Sequence, residues 1–318
     1  MVSAAALGAV GRGFESLYSD VFFLRLSLAS SFVGWIFWDP SPVFFYVPLL
    51  GRPIAWYGVF FASGFFFGYF IFLKLLRDWL NHQEEGDLSD HQILDRLTWF
   101  VVLGTVLGAR LGHVFFYDWD YFRCHPLDIF KIWEAGLASH GGALGVLVGL
   151  GFFRLSIWRR VPSLTFLTIL DMLVIPTAFV GFCIRCGNFF NQEILGIPTT
   201  QPWAVVFGHP IDGGVPIPRH PVQLYEAGFY LAVFFFLWSL AKRRIGEKCR
   251  LMGSGLFSGL FFLLVFVFRM VVELVKDHQH SLLPMDSSLQ MGQLLSIPFV
   301  VIGAILLLYS FQYRKNIV

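Results

Sequence analysis

The chain has 318 residues, of which 56% are hydrophobic and 14% charged, with a formal net charge of +2. A soluble domain carries about a quarter charged residues. The apolar surplus here comes in long runs that need an apolar solvent, which excludes a soluble globular protein and points to a polytopic membrane protein. The small net charge argues against a nucleic-acid partner, and the 38 phenylalanines suit a lipid-facing surface.

The apolar run near 21–38 contains Arg25 and is followed by no convincing small-residue cleavage site, so it does not read as a cleaved signal peptide. Residues 1–47 are assigned to an N-terminal extension, either interfacial or an extra span, and 48–318 to a transmembrane domain. Seven runs in that domain are long enough to cross about 30 Å of hydrocarbon as helices. They lie near 56–75, 97–116, 141–155, 164–183, 222–240, 256–274 and 294–309, and the third is short. The expected fold class is therefore all-α, a polytopic transmembrane helical bundle of seven core spans with an N-terminal extension.

Positive residues collect on the cytoplasmic side of membrane proteins. One set of alternate loops holds Lys74, Arg77, Arg154, Arg159, Arg160, Lys242, Arg243, Arg244, Lys248, Arg250, Arg314 and Lys315. The other set holds Arg123, Lys131, Arg185, Arg219 and Lys276. The first core span is thus expected to begin outside and the C-terminus to lie inside. In that orientation the unusual polar residues share one depth, in the outer leaflet. They are Tyr57, Arg110, His140, the group Arg185, Asn188, Asn191 and Glu193 after the fourth span, then Arg219, His220, Gln223, Tyr225, Glu226, Arg269, Glu273 and Gln293. An outward-facing polar region is expected around 185–221.

Arg269 interrupts an apolar run, with Glu273 four residues on, a spacing that places both on one helix face. A charge in hydrocarbon costs at least about 2.5–3.5 kcal/mol. Two readings stand: a structural ion pair, or an anion site in which Glu273 orients the guanidinium, whose planar fork suits phosphate oxygens. The cluster at Arg185 is either a capped helix end or a site able to hold a phosphate and a glycerol hydroxyl together. His140, followed by Gly141 and Gly142, is either a hydrogen-bonded interface residue or a general base, since neutral imidazole accepts protons near pH 7. Cys183 and Cys186 form a C-x-x-C pair with no second pair to complete a zinc site, so packing is expected rather than redox or metal chemistry. His278 and His280 read as a solvated loop rather than a metal site. No dinucleotide, P-loop or H-E-x-x-H motif is present, and no cofactor is expected.

Seven blocks in order carry a resemblance. They are Trp-Tyr-Gly at 56–58, Gly-Ala-Arg-Leu-Gly at 108–112, Ser-His-Gly-Gly at 139–142, Arg-x-Gly-Asn-Phe-x-Asn-x-Glu at 185–193, Arg-His-Pro-x-Gln-Leu-Tyr-Glu at 219–226, Phe-Arg-x-x-x-Glu at 268–273 and Met-Gly-Gln-Leu-Leu-Ser-x-Pro at 291–298. Together, over roughly 48–309, they resemble the bacterial prolipoprotein diacylglyceryl transferases. Ile184 stands where many members have glycine, and Ala135, Leu137 and Ala138 depart from the family's Gly-Gly-Met-Ser before the histidine.

The resemblance implies transfer of the diacylglyceryl group of phosphatidylglycerol to the lipobox cysteine of a prolipoprotein in the bacterial cytoplasmic (inner) membrane, with release of glycerol phosphate. It implies His140 as the base for the thiol and Arg185 and Arg269 as phosphate ligands. Tyr57, Asn188, Glu193, Gly196 and Glu273 would shape or orient the lipid site. The resemblance calls for no metal, and the partners expected are the two substrates and membrane lipids. Two alternatives weighed against it are an organic-anion transporter and a lipid-binding scaffold. The first is disfavoured by the lack of an internal repeat, the second by a polar convergence richer than scaffolding needs.

Overall fold

Each of the seven apolar runs forms a helix in the structure, a computed structural model that describes residues 34–47, 52–81, 89–131, 138–245, 252–277 and 290–315. The helices are α1 (Trp56–Leu80), α2 (Asp90–Phe116), α3 (Ser139–Ile157), α4 (Phe166–Phe190), α5 (Val222–Ile245), α6 (Leu256–Val272) and α7 (Met291–Lys315). Among the described residues six of them are long and apolar enough to span a membrane, and the shorter apolar helix is α3, where the short run was expected. The chain is thus an all-α, polytopic membrane protein. Cys249, His278, His280, Ala135, Leu137 and most of the N-terminal extension lie outside the described residues.

Short strands join the helices. β1 (Ile36–Trp38) pairs in parallel with β4 (Val205–Phe207), which pairs antiparallel with β5 (Pro218–Arg219). β2 (Val43–Val47) and β3 (Arg52–Ala55) form a hairpin that runs straight into α1. Within the N-terminal extension, the described residues 34–47 include β1 and β2, and the apolar run before Gly34 lies outside the described residues.

Two compact units are built from this chain. The first takes Met1–Gly64, Val180–Leu231 and Val267–Ile297, and the second Phe65–Phe179, Ala232–Phe266 and Pro298–Val318. The first unit thus collects the start of α1, the end of α4, the start of α5, the end of α6 and the start of α7, with all five strands. Phe189, Leu195, Val205 and Phe207 form a small buried core there, with Trp38 packed on it.

In the second unit, α2 and α3 pack backbone to backbone. Glycines 104, 108 and 112 face glycines 141, 145 and 149, two runs at four-residue spacing. A Cβ at Gly108 would lie 2.7 Å from the Gly145 Cα, and one at Gly112 the same distance from the Gly141 Cα. Without side chains, the backbones approach closely and dispersion replaces the hydrophobic force that lipid cannot supply. Gly141, expected from sequence to admit a close backbone approach beside His140, is therefore spent on helix packing. The Ala138 amide donates to the Ala109 carbonyl at 2.9 Å, which pins the first turn of α3 to α2.

Asp171 of α4 is fully buried and caps α6 from outside that helix. Its Oδ2 accepts from the amides of Gly253 (3.0 Å) and Gly255 (2.9 Å), and its Oδ1 from the Ser258 amide (2.9 Å) and hydroxyl (2.6 Å). Both glycines have positive φ, +92° and +81°, which a larger residue would adopt only with strain. Removing the carboxylate strands four donors in an apolar interior. Asp171→Ala is expected to destabilise the protein by several kcal/mol, since each buried donor left without a partner costs about 1–3 kcal/mol, read as a large drop in the thermal midpoint in detergent. An unchanged midpoint would show that the cap contributes little.

Candidate active site

Arg185 and Asn188 were expected to follow the end of the fourth span, and the structure corrects this. α4 continues through Phe190, so both lie on its last turns, one helical turn apart. Gly187 lies inside the helix, where a Cβ would be 2.9 Å from the Tyr57 ring at the start of α1, so the close approach of the two helices requires glycine there. Ile184 sits within the same helix and is half-buried, so α4 holds its regular form there without a glycine.

From Arg185 a chain of polar contacts runs to Glu193. The buried guanidinium pairs through Nε with the fully buried Glu226 of α5, 2.9 Å away. Its Nη1 donates to Asn188 Oδ1 at 3.1 Å, and Asn188 Nδ2 donates to Glu193 Oε1 at 2.7 Å. Asn191 reaches the same carboxylate oxygen at 3.5 Å. Gln223 Nε2 donates to the Glu193 carbonyl at 2.7 Å, tying the turn after α4 to α5. Tyr230 places its hydroxyl 3.4 Å from Glu226. Tyr57, half-buried, is an electrostatic neighbour of both Arg185 and Glu193.

The end of α6 supplies the second cation. The expected Arg269–Glu273 pairing does not form. α6 ends at Val272 and tightens into a 3-10 turn at Glu273–Val275, and Glu273 meets Lys276, whose Nζ is 3.6 Å from its Oε2. Among the described residues Arg269 has no carboxylate within ion-pair distance. The start of α7 closes on the same place: Gly292 packs directly on the Glu273 carboxylate, and Gln293 Nε2 donates to the Met270 carbonyl at 3.2 Å.

Lys276 is a member of this cluster that the sequence reading used only as a topology charge. It is buried, and Arg185, Glu226, Arg269 and Glu273 all act on it electrostatically. Burial pushes its ammonium below the ordinary lysine range; the two glutamates oppose that shift and the two arginines add to it. The available signal was its place three residues after Glu273.

Gly196 is the joint that brings Lys276 in. It bridges to Lys276, while Ile197 N donates to Val275 O and Asp277 N to Leu195 O, both at 2.9 Å. A Cβ on Gly196 would lie 2.7 Å from the His220 Cβ and 2.9 Å from Val222 Cγ1, so only glycine fits. Arg219 locks the joint by pairing with Asp277 and, at 3.6 Å, with Asp212.

Seven of the eight residues expected at the site therefore belong to one unit: Tyr57, Arg185, Asn188, Glu193, Gly196, Arg269 and Glu273. His140 belongs to the other unit, on the first turn of α3, and its side chain lies outside the described residues. Arg110 is also in the second unit. It donates to the carbonyls of Asp128 (2.6 Å) and Ile129 (3.0 Å) and lies over the Phe122 ring, which makes it a tether for the segment after α2.

The fold defines a multi-pass helical membrane protein, and one unit holds a buried group of cations and carboxylates. The family model for prolipoprotein diacylglyceryl transferase matches residues 42–309. Curated relatives named phosphatidylglycerol–prolipoprotein diacylglyceryl transferase include one from Protochlamydia amoebophila, 38% identical, with 91% of this chain and 98% of the relative covered. One from Tolumonas auensis is 42% identical over 88% of this chain and 100% of the relative, and one from Chloroherpeton thalassium 39% identical over 89% and 97%. The chain belongs to the prolipoprotein diacylglyceryl transferase family and is an enzyme of that class. Neither the fold nor these relatives favour the transporter alternative.

Proposed function

We propose that this chain transfers the diacylglyceryl group of phosphatidylglycerol to the lipobox cysteine of a prolipoprotein, with the Arg185–Glu226–Asn188 arrangement and Arg269 holding the phosphate. The carrying observation is the Arg185 geometry. Glu226 at 2.9 Å and Asn188 at 3.1 Å fix the guanidinium plane from two sides, so its remaining donors are pre-aimed. Arg269 and the buried Lys276 add positive charge to the same cluster, where a departing phosphate gathers negative charge.

In the reaction the cysteine sulfur attacks the glyceryl carbon that bears the phosphate. The S–C bond forms as the C–O bond breaks, and the products are a thioether and glycerol phosphate. The thiol proton goes to a base, a role assigned to His140. Arg185 and Arg269 stabilise the charge on the leaving oxygen. Asn188 and Glu193 have the hydrogen-bonding capacity to orient the head-group glycerol, and Tyr57 packs on Gly187 in the turn of α4 that carries Asn188. The assay is incubation of purified protein with phosphatidylglycerol and a lipobox peptide, followed by mass spectrometry. The peptide is expected to gain one diacylglyceryl group on cysteine, and an unmodified peptide would sink the reading.

The site is assigned to the outer leaflet of the cytoplasmic membrane, on the distribution of positive loops. Val215 is exposed in the loop between α4 and α5. In a Cys124→Ser background, Val215→Cys is expected to react with a membrane-impermeant maleimide added outside, whereas a cysteine at Tyr313, near the end of α7, is not. The reverse pattern would place the cluster at the cytoplasmic face.

A further inference from the structure

We infer that Asp39, in the segment before the first span, is a positioning residue for the Asn188–Glu193 turn. The strand it follows is then part of the active-site architecture rather than an appendage. This rests on the reading of Arg185, Asn188 and Glu193 as the lipid site.

The turn that carries Glu193 is strained. Gln192 and Ile194, on either side of it, have φ of +53° and +57°. Side chains seldom adopt that region, and a β-branched isoleucine does so least of all. Such conformations persist only where the surroundings over-determine them, and they gather at functional sites. Here the constraint comes from Gln192. Its side chain is buried, its Oε1 accepts from the His209 amide at 2.6 Å, and its carbonyl accepts from the Ile211 amide at 3.1 Å. Its Nε2 donates to Asp39 Oδ1 at 3.2 Å. The same Asp39 oxygen receives the His209 ring nitrogen, and Gly208 leaves the carboxylate its space, since a Cβ there would collide with it.

Asp39 is itself fixed by its neighbour. Trp38 stacks on Phe189 at 4.5 Å, meets Phe190 edge-on at 5.2 Å, and donates its indole N–H to the Phe189 carbonyl at 3.1 Å. β1 holds Trp38 against β4, and the Gly208 amide donates to the Trp38 carbonyl at 3.0 Å, immediately before Asp39. One line of contacts thus leads from Asp39 to Gln192, through the backbone of Glu193 to its carboxylate, then to Asn188 and Arg185. Every residue on it lies in the first unit.

The test uses the full-length protein in the transfer assay, with kcat and KM for phosphatidylglycerol and the thermal midpoint measured together. Asp39→Ala is expected to lower kcat by about ten- to a hundredfold, the loss that a small misplacement produces, at a near-normal midpoint. Asp39→Asn, whose amide oxygen still accepts from Gln192, is expected to recover most of the rate. Gln192→Gly relieves the positive φ while deleting the link, so it is expected to fold at least as well as the parent and to lose a similar fraction of kcat. Wild-type kcat in Asp39→Ala or Gln192→Gly would overturn the inference. So would a loss of rate that merely follows a fall in the folded fraction and is not recovered in Asp39→Asn. Asn188→Ala, run in parallel, separates the two levels. If it too transfers at the wild-type rate, the lipid-site reading is wrong. If it is impaired while Asp39→Ala is not, only the positioning role fails.

Discussion

Arg185→Lys is expected to cut transfer by about a hundredfold, equivalent to about 2.7 kcal/mol of transition-state stabilisation, although the positive charge is kept. The guanidinium pairs with Glu226 through one nitrogen and donates to Asn188 through another, at 2.9 and 3.1 Å. A lysine ammonium is a single point on a flexible stem and cannot satisfy both while also presenting a fork to phosphate. Hydrogen bonds to charged groups are worth about 1.5–3 kcal/mol each, so losing one accounts for the effect. Because Glu226 keeps a counter-charge, membrane insertion should be near normal. Arg269→Lys should also lose much of the activity, through the phosphate contact alone, since no carboxylate pairs with Arg269 among the described residues. Steady-state kinetics on matched amounts of inserted protein check both. Full activity in either lysine variant would mean that charge, not geometry, recognises the phosphate at that position.

His140→Gln is expected to bind phosphatidylglycerol and to transfer almost nothing, a loss of about 10²–10⁴-fold, the range for a missing general base. A thiol with a pKa of about 8.5 is mostly protonated at neutral pH, and a neutral imidazole can take its proton whereas an imidazolium cannot. The wild-type rate should therefore fall as the pH drops through the imidazole titration. The glutamine variant should lack that limb and be partly rescued at higher pH, or by a peptide with a more acidic thiol, because the thiolate then forms unaided. Rate–pH profiles of the two proteins provide the measurement. Wild-type transfer by His140→Gln at neutral pH would move the base to another group, with Glu193, Glu226 and Glu273 the nearest candidates by chemistry.

The order and length of the spans could be read from the sequence because the cost of placing a segment in lipid is a sum over its own residues. Hydropathy alone therefore placed each of the helices α1–α7, including the short α3. The same local logic marked Arg185, Arg269 and the polar run near 188–193 as residues an apolar run would not carry without reason. The four-residue spacing of Arg269 and Glu273 did not by itself decide their pairing. α6 gives way to a 3-10 turn, and the carboxylate meets Lys276 instead.

What the tertiary structure decided are the contacts between segments far apart in the chain. Glu226 meets Arg185 across 41 positions of sequence, and Asp39 meets Gln192 across 153. No local period encodes either contact. The glycines of α2 and α3 show the same division. Their four-residue spacing is visible in the chain, but their use to bring two backbones together depends on which helix faces which. The pairing of Ile36–Trp38 with Val205–Phe207 as strand is of the same kind, since it joins segments far apart in the chain. Composition determines that a segment leaves water. Its partner depends on backbone hydrogen bonds and side-chain packing, which exist only once distant segments have been brought together.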